Sequence, residues 1–430
     1  FPSGAVAWII TEENFMKDYS NIVSYLKLRG SVGKTGSQNL GAYDWRTLMG
    51  SATYNGAAGI VPSSLGNDIL QWEEQIQKEV GLDYGFWDDR IRGTLGYYQK
   101  KVDNLLYSDP VPTSSSFSSV YQNIGSLKNR GIEFDVRVDI IKNVQKDLTW
   151  NVDFNIARNR TTLEKLNSSD GYFGGGAYDY FKIEEGGETG RFYGYKDAGR
   201  LFMTNEELVG LKTIDPKTGT LKYYRDDYNY ERQGDVYIMD LDGDGQITAD
   251  GDRTVIGNAN PDFFGGFGST LYWKGLMLNA VFSYSVGGDR FWDEEKNSSG
   301  DMNVYNTSNR ILDSWTVNPG VNASYPRAMY YGWGSNSIIT DRYIHDASYL
   351  RMTALNLSYR LPKHLYKNSI LNAVEFTFQA TNLFTWTKYP GMDPQGNFST
   401  TYSAFYNMGI DYSTYPSART YNFGIKLTLK

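Results

Sequence analysis

Residues 421–429 alternate without a break: Tyr421, Phe423, Ile425, Leu427 and Leu429 are large and apolar, while Asn422, Gly424, Lys426 and Thr428 between them are polar or small. In an extended strand successive side chains leave opposite faces, so this period gathers every large group on one side. A ribbon with one oily and one wet face fits the boundary between lipid and a water-filled lumen.

The pattern recurs. Leu148, Trp150, Val152, Phe154 and Ile156 alternate with Thr149, Asn151, Asp153 and Asn155, and Ile132, Phe134, Val136, Val138 and Ile140 with Glu133, Asp135, Arg137 and Asp139. The charged face of the second set needs water or a polar partner. Alternation predicts about eleven long strands, over 5–10, 26–32, 70–85, 90–102, 131–141, 148–160, 262–273, 276–286, 349–361, 374–383 and 421–429. Their connections alternate in length. Links 87–89, 142–147, 274–275 and 362–372 are short, whereas 33–69, 103–122, 161–261, 287–348 and 384–420 are long. Outer-membrane barrels have short periplasmic turns and long extracellular loops, a contrast that a soluble meander has no reason to adopt. A soluble sandwich or β-helix remains the alternative from alternation alone. Aromatic residues at strand ends, namely Trp150, Tyr272, Trp273, Tyr284 and Tyr359, favour the membrane, where amphipathic rings settle at the interface.

The remaining composition excludes more than it assigns. With no Cys and 2 His in 430 residues, thiol chemistry and Cys/His zinc sites are ruled out. A net charge of −7 argues against nucleic acid as a partner. Low mean hydropathy does not argue against a barrel, because a spanning strand needs only every second residue apolar. Phe1, Pro2, Ser3 and Gly4 do not begin a leader peptide with a basic segment and an apolar core, so a leader has been removed or the chain starts inside a longer protein. His345 and His364 belong to no nucleophile or metal motif and read as loop or strand-end residues; no enzyme activity is expected.

A series of stretches then carries a family resemblance. In order they are LKLRGSVGKTGSQNLGAY from Leu26, LQWEEQIQKEVGLDYGF from Leu70, GYYQKKVDNLLYS from Gly96, NIGSLKNRGIEFDV from Asn123, RFYGYKDAGRLF from Arg191 and GDVYIMDLDGDGQI from Gly234. IGNANPDFFGGFG from Ile256, ILDSWT from Ile311, DASYLRMTALNLSYRLP from Asp346, ATNLFTWTKYPGMDP from Ala380 and YPSARTYNFGIKLTLK from Tyr415 come next. Taken together and in this order, they make the chain resemble the C-terminal half of the barrel of SusC/RagA-type TonB-dependent outer-membrane transporters of the Bacteroidetes.

The resemblance implies an all-β transmembrane antiparallel barrel, about 11 strands here out of 22, in the outer membrane of a Gram-negative bacterium. It implies TonB-dependent import of an oligomeric nutrient, glycan or peptide, with a SusD-like surface lipoprotein as partner; a non-transporting receptor or adhesin is the alternative. The plug domain and the segment that TonB grasps are not among these 430 residues, so the expectation is one part of a longer polypeptide. An open sheet in lipid would leave two edges of unpaired backbone groups, which argues the same way. The family's closing strand usually ends in an aromatic residue, whereas here Lys430 follows Leu429.

Two features point to ligands. Asp240, Asp242 and Asp244 occupy positions 1, 3 and 5 of a calcium-loop scheme, with Gly245 at 6, the Gln246 carbonyl at 7 and Ile247 at 8. Position 12 is Gly251, flanked by Asp250 and Asp252. In the family this loop closes with Asp followed by Arg, which makes Asp252, before Arg253, the expected closing ligand for Ca2+. The bland alternative is a solvated acidic turn. Within the long 161–261 extracellular excursion that holds this 240–252 loop, Tyr172, Phe173, Tyr178, Tyr180 and Phe181 form one aromatic cluster, and Tyr223, Tyr224, Tyr228 and Tyr230 another. Tyr330, Tyr331 and Trp333 form a third. Rings of this kind stack on sugars or peptide side chains, or else pack loops against each other or a partner.

Overall fold

A computed structural model describes residues 1–429 except 39, 167–171, 176–179, 205–206, 208–212, 215–220, 223–231, 301–305, 321–322, 329–335, 337, 368–369 and 397–407. Its dominant element is an 11-stranded sheet in which every strand pairs with its neighbour in sequence order among the eleven. The strands are β1 (Ser3–Ile9), β2 (Val23–Ser37), β3 (Glu73–Phe86), β4 (Ile91–Pro110), β5 (Ser119–Asn143) and β6 (Leu148–Leu166). They continue with β7 (Phe263–Trp273), β8 (Leu276–Val286), β9 (Tyr349–Arg360), β10 (Leu371–Thr387) and β11 (Thr420–Leu429). All pairings are antiparallel, and β1 and β11 are the free edges. Each expected strand is present.

Register carries the alternation across the sheet. Leu28 pairs with Leu82, Leu82 with Leu95, Leu95 with Phe134 and Phe134 with Ile156, so one face is a continuous apolar surface. Its side chains are open: Val80 is 55%, Ile132 53% and Phe423 81% exposed. A soluble sandwich would cover them with a second layer. The largest fully buried side chains lie instead mainly between the long loops, Tyr343, Phe181, Phe192, Phe202 and Phe291 among them. Burial is inverted, as expected of a wall whose oily side faces lipid.

Two matching contacts pin this register. Tyr84 lies over Gly93 on the next strand and donates its hydroxyl to the Asp135 carbonyl at 3.0 Å, and Tyr284 lies over Gly265 and donates to the Asn155 carbonyl at 2.9 Å. Each ring also stacks on a phenylalanine, Phe134 or Phe154, at 6.4 and 6.1 Å. A Cβ at Gly93 would lie 2.0 Å from the Asp135 carbonyl oxygen and one at Gly265 2.1 Å from that of Asn155, so a side chain at either glycine would collide with the backbone as well as the tyrosine.

Strand ends depart from expectation at the long-loop side. Leu70, Gln71 and Trp72 precede β3, and the expected long link 103–122 is mostly strand, because β4 and β5 continue upward to a turn at 111–118. The cause is a bulge: the β4–β5 register shifts between Val102 and Leu106, with Asn104 at φ 57°. An inserted residue flips the parity of the residues beyond it, so the apolar period stops while the strand does not. Above the bulge Leu105 and Tyr107 pack on Ile124, Leu163 and Leu166, a small dry cluster beyond the membrane band.

The links 161–261, 287–348 and 384–420 fold into a layer of their own, while 33–69 carries a separate hairpin, Met49–Tyr54 with Ala57–Pro62. Arg253–Asn258, Arg191–Tyr195, Phe181–Glu184 and Tyr172–Gly175 form a 4-stranded sheet, and Asp289–Trp292, with Ile344–Asp346 and Ile410–Asp411, a 3-stranded one. Phe181, Phe192, Ala259, Phe291, Ile339, Tyr343 and Ile410 pack between them.

Candidate functional site

The polar face of β2–β5 is a charged wall. Lys27 Nζ lies 3.5 Å from Asp83 Oδ2, Arg29 Nε 3.3 Å from Asp83 Oδ1, and Arg92 Nη1 3.4 Å from Asp139 Oδ2; Arg29 also pairs with Glu79. Glu133, Asp135, Arg137 and Asp139 occupy this face on β5, opposite Gly96, Thr94, Arg92 and the strand's beginning on β4. Asp135 Oδ2 accepts from the Thr94 N–H at 2.7 Å. Arg29, Glu79, Lys100, Glu133 and Asp135 line one shallow concavity. So many charges on a spanning strand require a wet or protein-filled interior.

The acidic loop adopts the folded form its spacing predicts. Gly243 and Gly245 take φ of 78° and 82°, which only glycine adopts without strain. Asp240 accepts the N–H of Gly243 at 2.7 Å and of Gly245 at 2.8 Å, while Asp242 takes that of Asp244 at 3.1 Å and Asp244 that of Gln246 at 2.7 Å. Carboxylate oxygens of Asp240, Asp242 and Asp244 lie within 4.8 Å of one another. The Asp244 N–H favours ionised Asp242, but desolvation and the facing carboxylates of Asp244, Asp252 and Asp240 outweigh it and raise its pKa. A cation would relieve that repulsion, so the donor set fits a hard ion.

Asp252 stands apart from this triad. It is fully buried, and its oxygens accept from the N–H groups of Leu241 and Thr248, each at 2.7 Å, closing the loop onto itself. Gln246 is buried, and Ile247 anchors the loop in a core with Leu201, Phe202, Val236 and Ile238. Gly251 packs under the loop, and a Cβ there would lie 2.2 Å from Asp242 Oδ2 and move that carboxylate.

The aromatic residues divide. Tyr180 is 5% exposed, with its ring 4.6 Å from Phe291 and its hydroxyl donating to Asp293 at 3.4 Å, so it serves the loop core. Tyr172 begins the short strand Tyr172–Gly175. Tyr178, Tyr330, Tyr331 and Trp333 lie outside the described residues, as do Tyr223, Tyr224, Tyr228 and Tyr230.

Sequence reasoning missed the polar ties that hold these loops. Arg351 on β9 donates to Asp393 at 2.6 Å, Gln395 at 2.5 Å and Thr385 at 3.0 Å. Buried Glu295 binds Arg310 and His345, each at 2.5 Å. Buried Asp235 binds Arg327 at 2.7 Å and Asn336 at 2.8 Å. Asn336 lies 101 positions from Asp235 and Asp393 42 from Arg351, distances at which spacing carries no signal.

Comparison with known proteins decides what the wall belongs to. The TonB dependent receptor-like β-barrel family matches residues 1–333. The chain belongs to that family, on its SusC/RagA side. It is 33% identical to TonB-dependent receptor P3 of Formosa agariphila, over 99% of this chain and 41% of that protein. It is 30% identical to TonB-dependent receptor SusC of Bacteroides thetaiotaomicron, over 99% of this chain and 40% of that one. Solved structures of the RagAB peptide importer superpose with TM-scores of 0.75 in the closed-closed state and 0.74 in the open-open state, at 26% and 27% identity, covering 99% of this chain in the first. The receptor segment thus spans about two-fifths of the curated relatives it matches, 41% and 40%. It is a barrel wall of the Gram-negative outer membrane, and its relatives are receptors and transporters, not enzymes.

Proposed function

We propose that the receptor imports a bulky oligomeric nutrient, a glycan or a peptide, across the outer membrane, driven by TonB and assisted by a SusD-like lipoprotein at the extracellular mouth. The observation that carries this reading is the likeness to the RagAB importer along 99% of the chain. The charged wall supports it, because Glu133, Asp135, Arg137 and Asp139 need a polar neighbour such as a plug domain, and the packed loop layer offers a surface to ligand and lipoprotein. Two measurements on cells making the full-length receptor test it. Uptake of the oligomer stops when TonB is deleted, and native mass spectrometry of the detergent-extracted complex finds a lipid-modified partner. Uptake that persists without TonB overturns the reading.

Within this reading the 240–252 loop holds Ca2+ through Asp240, Asp242, Asp244 and the Gln246 carbonyl, with Asp252 closing the loop, and stiffens the excursion around it. Calorimetry on chelated protein is expected to give a saturable calcium heat that Asp242→Asn abolishes; a flat titration of the unsubstituted receptor means the turn is merely acidic.

A further inference from the structure

The polar face changes character around the sheet. On β2–β5 it carries Lys27, Arg29, Asp83, Arg92, Glu133 and Asp135. From β6 onward a row of uncharged groups runs strand to strand in register: Asn151, Thr270, Asn279, Asn356, Gln379, Asn422. The row is linked, with Asn279 Nδ2 donating to Thr270 Oγ1 at 2.9 Å and Asn356 Nδ2 to Asn279 Oδ1 at 3.0 Å. Charge on the polar face of β9 appears only at Arg351 above, tied to Asp393, and at Arg360 below, opposite Glu375. Those two arginines are nine residues apart, roughly 30 Å of strand. Between them the polar face of β9 offers Ala354, Asn356 and Ser358, and Asp153, two residues from Asn151 on β6, is a charge beside the row's first member.

The two sectors differ in what they can hold. Hydrogen bonds to charged groups contribute about 1.5–3 kcal/mol and neutral ones about 0.5–1.5. A moving polar chain needs many shallow contacts that replace its water one at a time, since a deep well traps it. An amide row supplies these, with a donor and an acceptor on each side chain. A fixed protein partner is better held by charge, and Glu133 and Asp135 in the other sector have no ion-pair partner among the described residues.

Resting on the transport reading above, we propose that the amide row of β6–β11 is the wall along which the imported oligomer slides, while the charged wall of β2–β5 holds the plug through basic groups on it. The occupant of the amide row is therefore a neutral, hydroxyl- or amide-rich oligomer.

The test uses the full-length receptor in cells whose unsubstituted form shows TonB-dependent uptake, which establishes the transport reading first. Asn279→Asp and Asn356→Asp each change one group and add a charge to the row. Surface abundance corrects for assembly, and Asn356→Ser, smaller and neutral, serves where the aspartate variant fails to assemble. Entry of a large antibiotic normally excluded by the outer membrane reports a loosened plug. Combining the two aspartates slows uptake per receptor about tenfold, an added barrier of about 1.4 kcal/mol, with antibiotic entry unchanged. Asn356→Ser also slows uptake without leak. Asp135→Asn, on the charged wall, admits the antibiotic. Unchanged uptake in the amide variants overturns the proposal, and so does antibiotic entry through them, which would place the plug on this row.

Discussion

Replacing Arg351 by alanine lowers the unfolding free energy of the receptor by roughly 3–5 kcal/mol, the cost of removing one partner of a buried ion pair. Arg351 and Asp393 are 5% and 7% exposed at their side chains. The guanidinium also binds Gln395 and Ser417, and Asp393 accepts the N–H groups of Gln395 and Ser417, so one cation ties the last long link to β9. Without it Asp393 is left buried with no counter-ion. Burial pushes the Asp393 carboxyl up, but Arg351 and the two N–H groups outweigh it and hold the pKa below the ordinary carboxylate value. A lowered folded pKa means that this stabilisation is complete above the unfolded value, near 4, and is lost as pH falls through the folded one. Guanidinium unfolding in detergent, followed by tryptophan fluorescence, is expected to show the full loss at pH 7 and a shrinking difference from the unsubstituted receptor below pH ~4. Equal midpoints at pH 7 would show the tie to be ornamental.

Replacing Val136 by arginine prevents or severely weakens barrel assembly, whereas Arg137→Ala one residue away is tolerated. Val136 lies in register with Gly93 and Phe154 on the apolar face, and a cation at the middle of a lipid-facing strand costs roughly 2–4 kcal/mol. Arg137 is on the opposite face, 3.9 Å from Asp139 and half exposed, a contact whose loss costs about 0–1 kcal/mol. Heat-modifiable migration of the outer-membrane fraction in gels separates folded from unfolded receptor. Equal loss in both variants contradicts the assignment of faces.

The same physics sets how much of the fold was legible in the sequence. Lipid on one side and water on the other impose a strict period of two, so all eleven strands could be placed from alternation. Their upper ends could not, because the bulge at Asn104 shifts parity where the membrane no longer enforces it. The loop layer was illegible for another reason: Phe291 meets Ile410 in a parallel pair closed only by the whole intervening chain. Within the site, the acidic loop is readable since all its groups fall inside 240–252, whereas the anchoring of Ile247 in a core with Leu201, Phe202, Val236 and Ile238 comes only with the fold. Family spacing makes Asp252 a ligand, and its backbone partners come only with the fold. Tyr180 looked like a ligand contact because exposure in a long loop is the default expectation, yet the loop builds a core of its own around it.

The central claim is that β5 separates lipid from a wet interior, and single cysteines test it most directly because the chain has no native Cys. Each position from Ile132 to Asp139 would be substituted in turn in the full-length receptor and labelled in intact cells with a small water-soluble thiosulfonate. Labelling is expected at 133, 135, 137 and 139, with protection by lipid at 132, 134, 136 and 138. Uniform labelling, or the opposite parity, would contradict the claim.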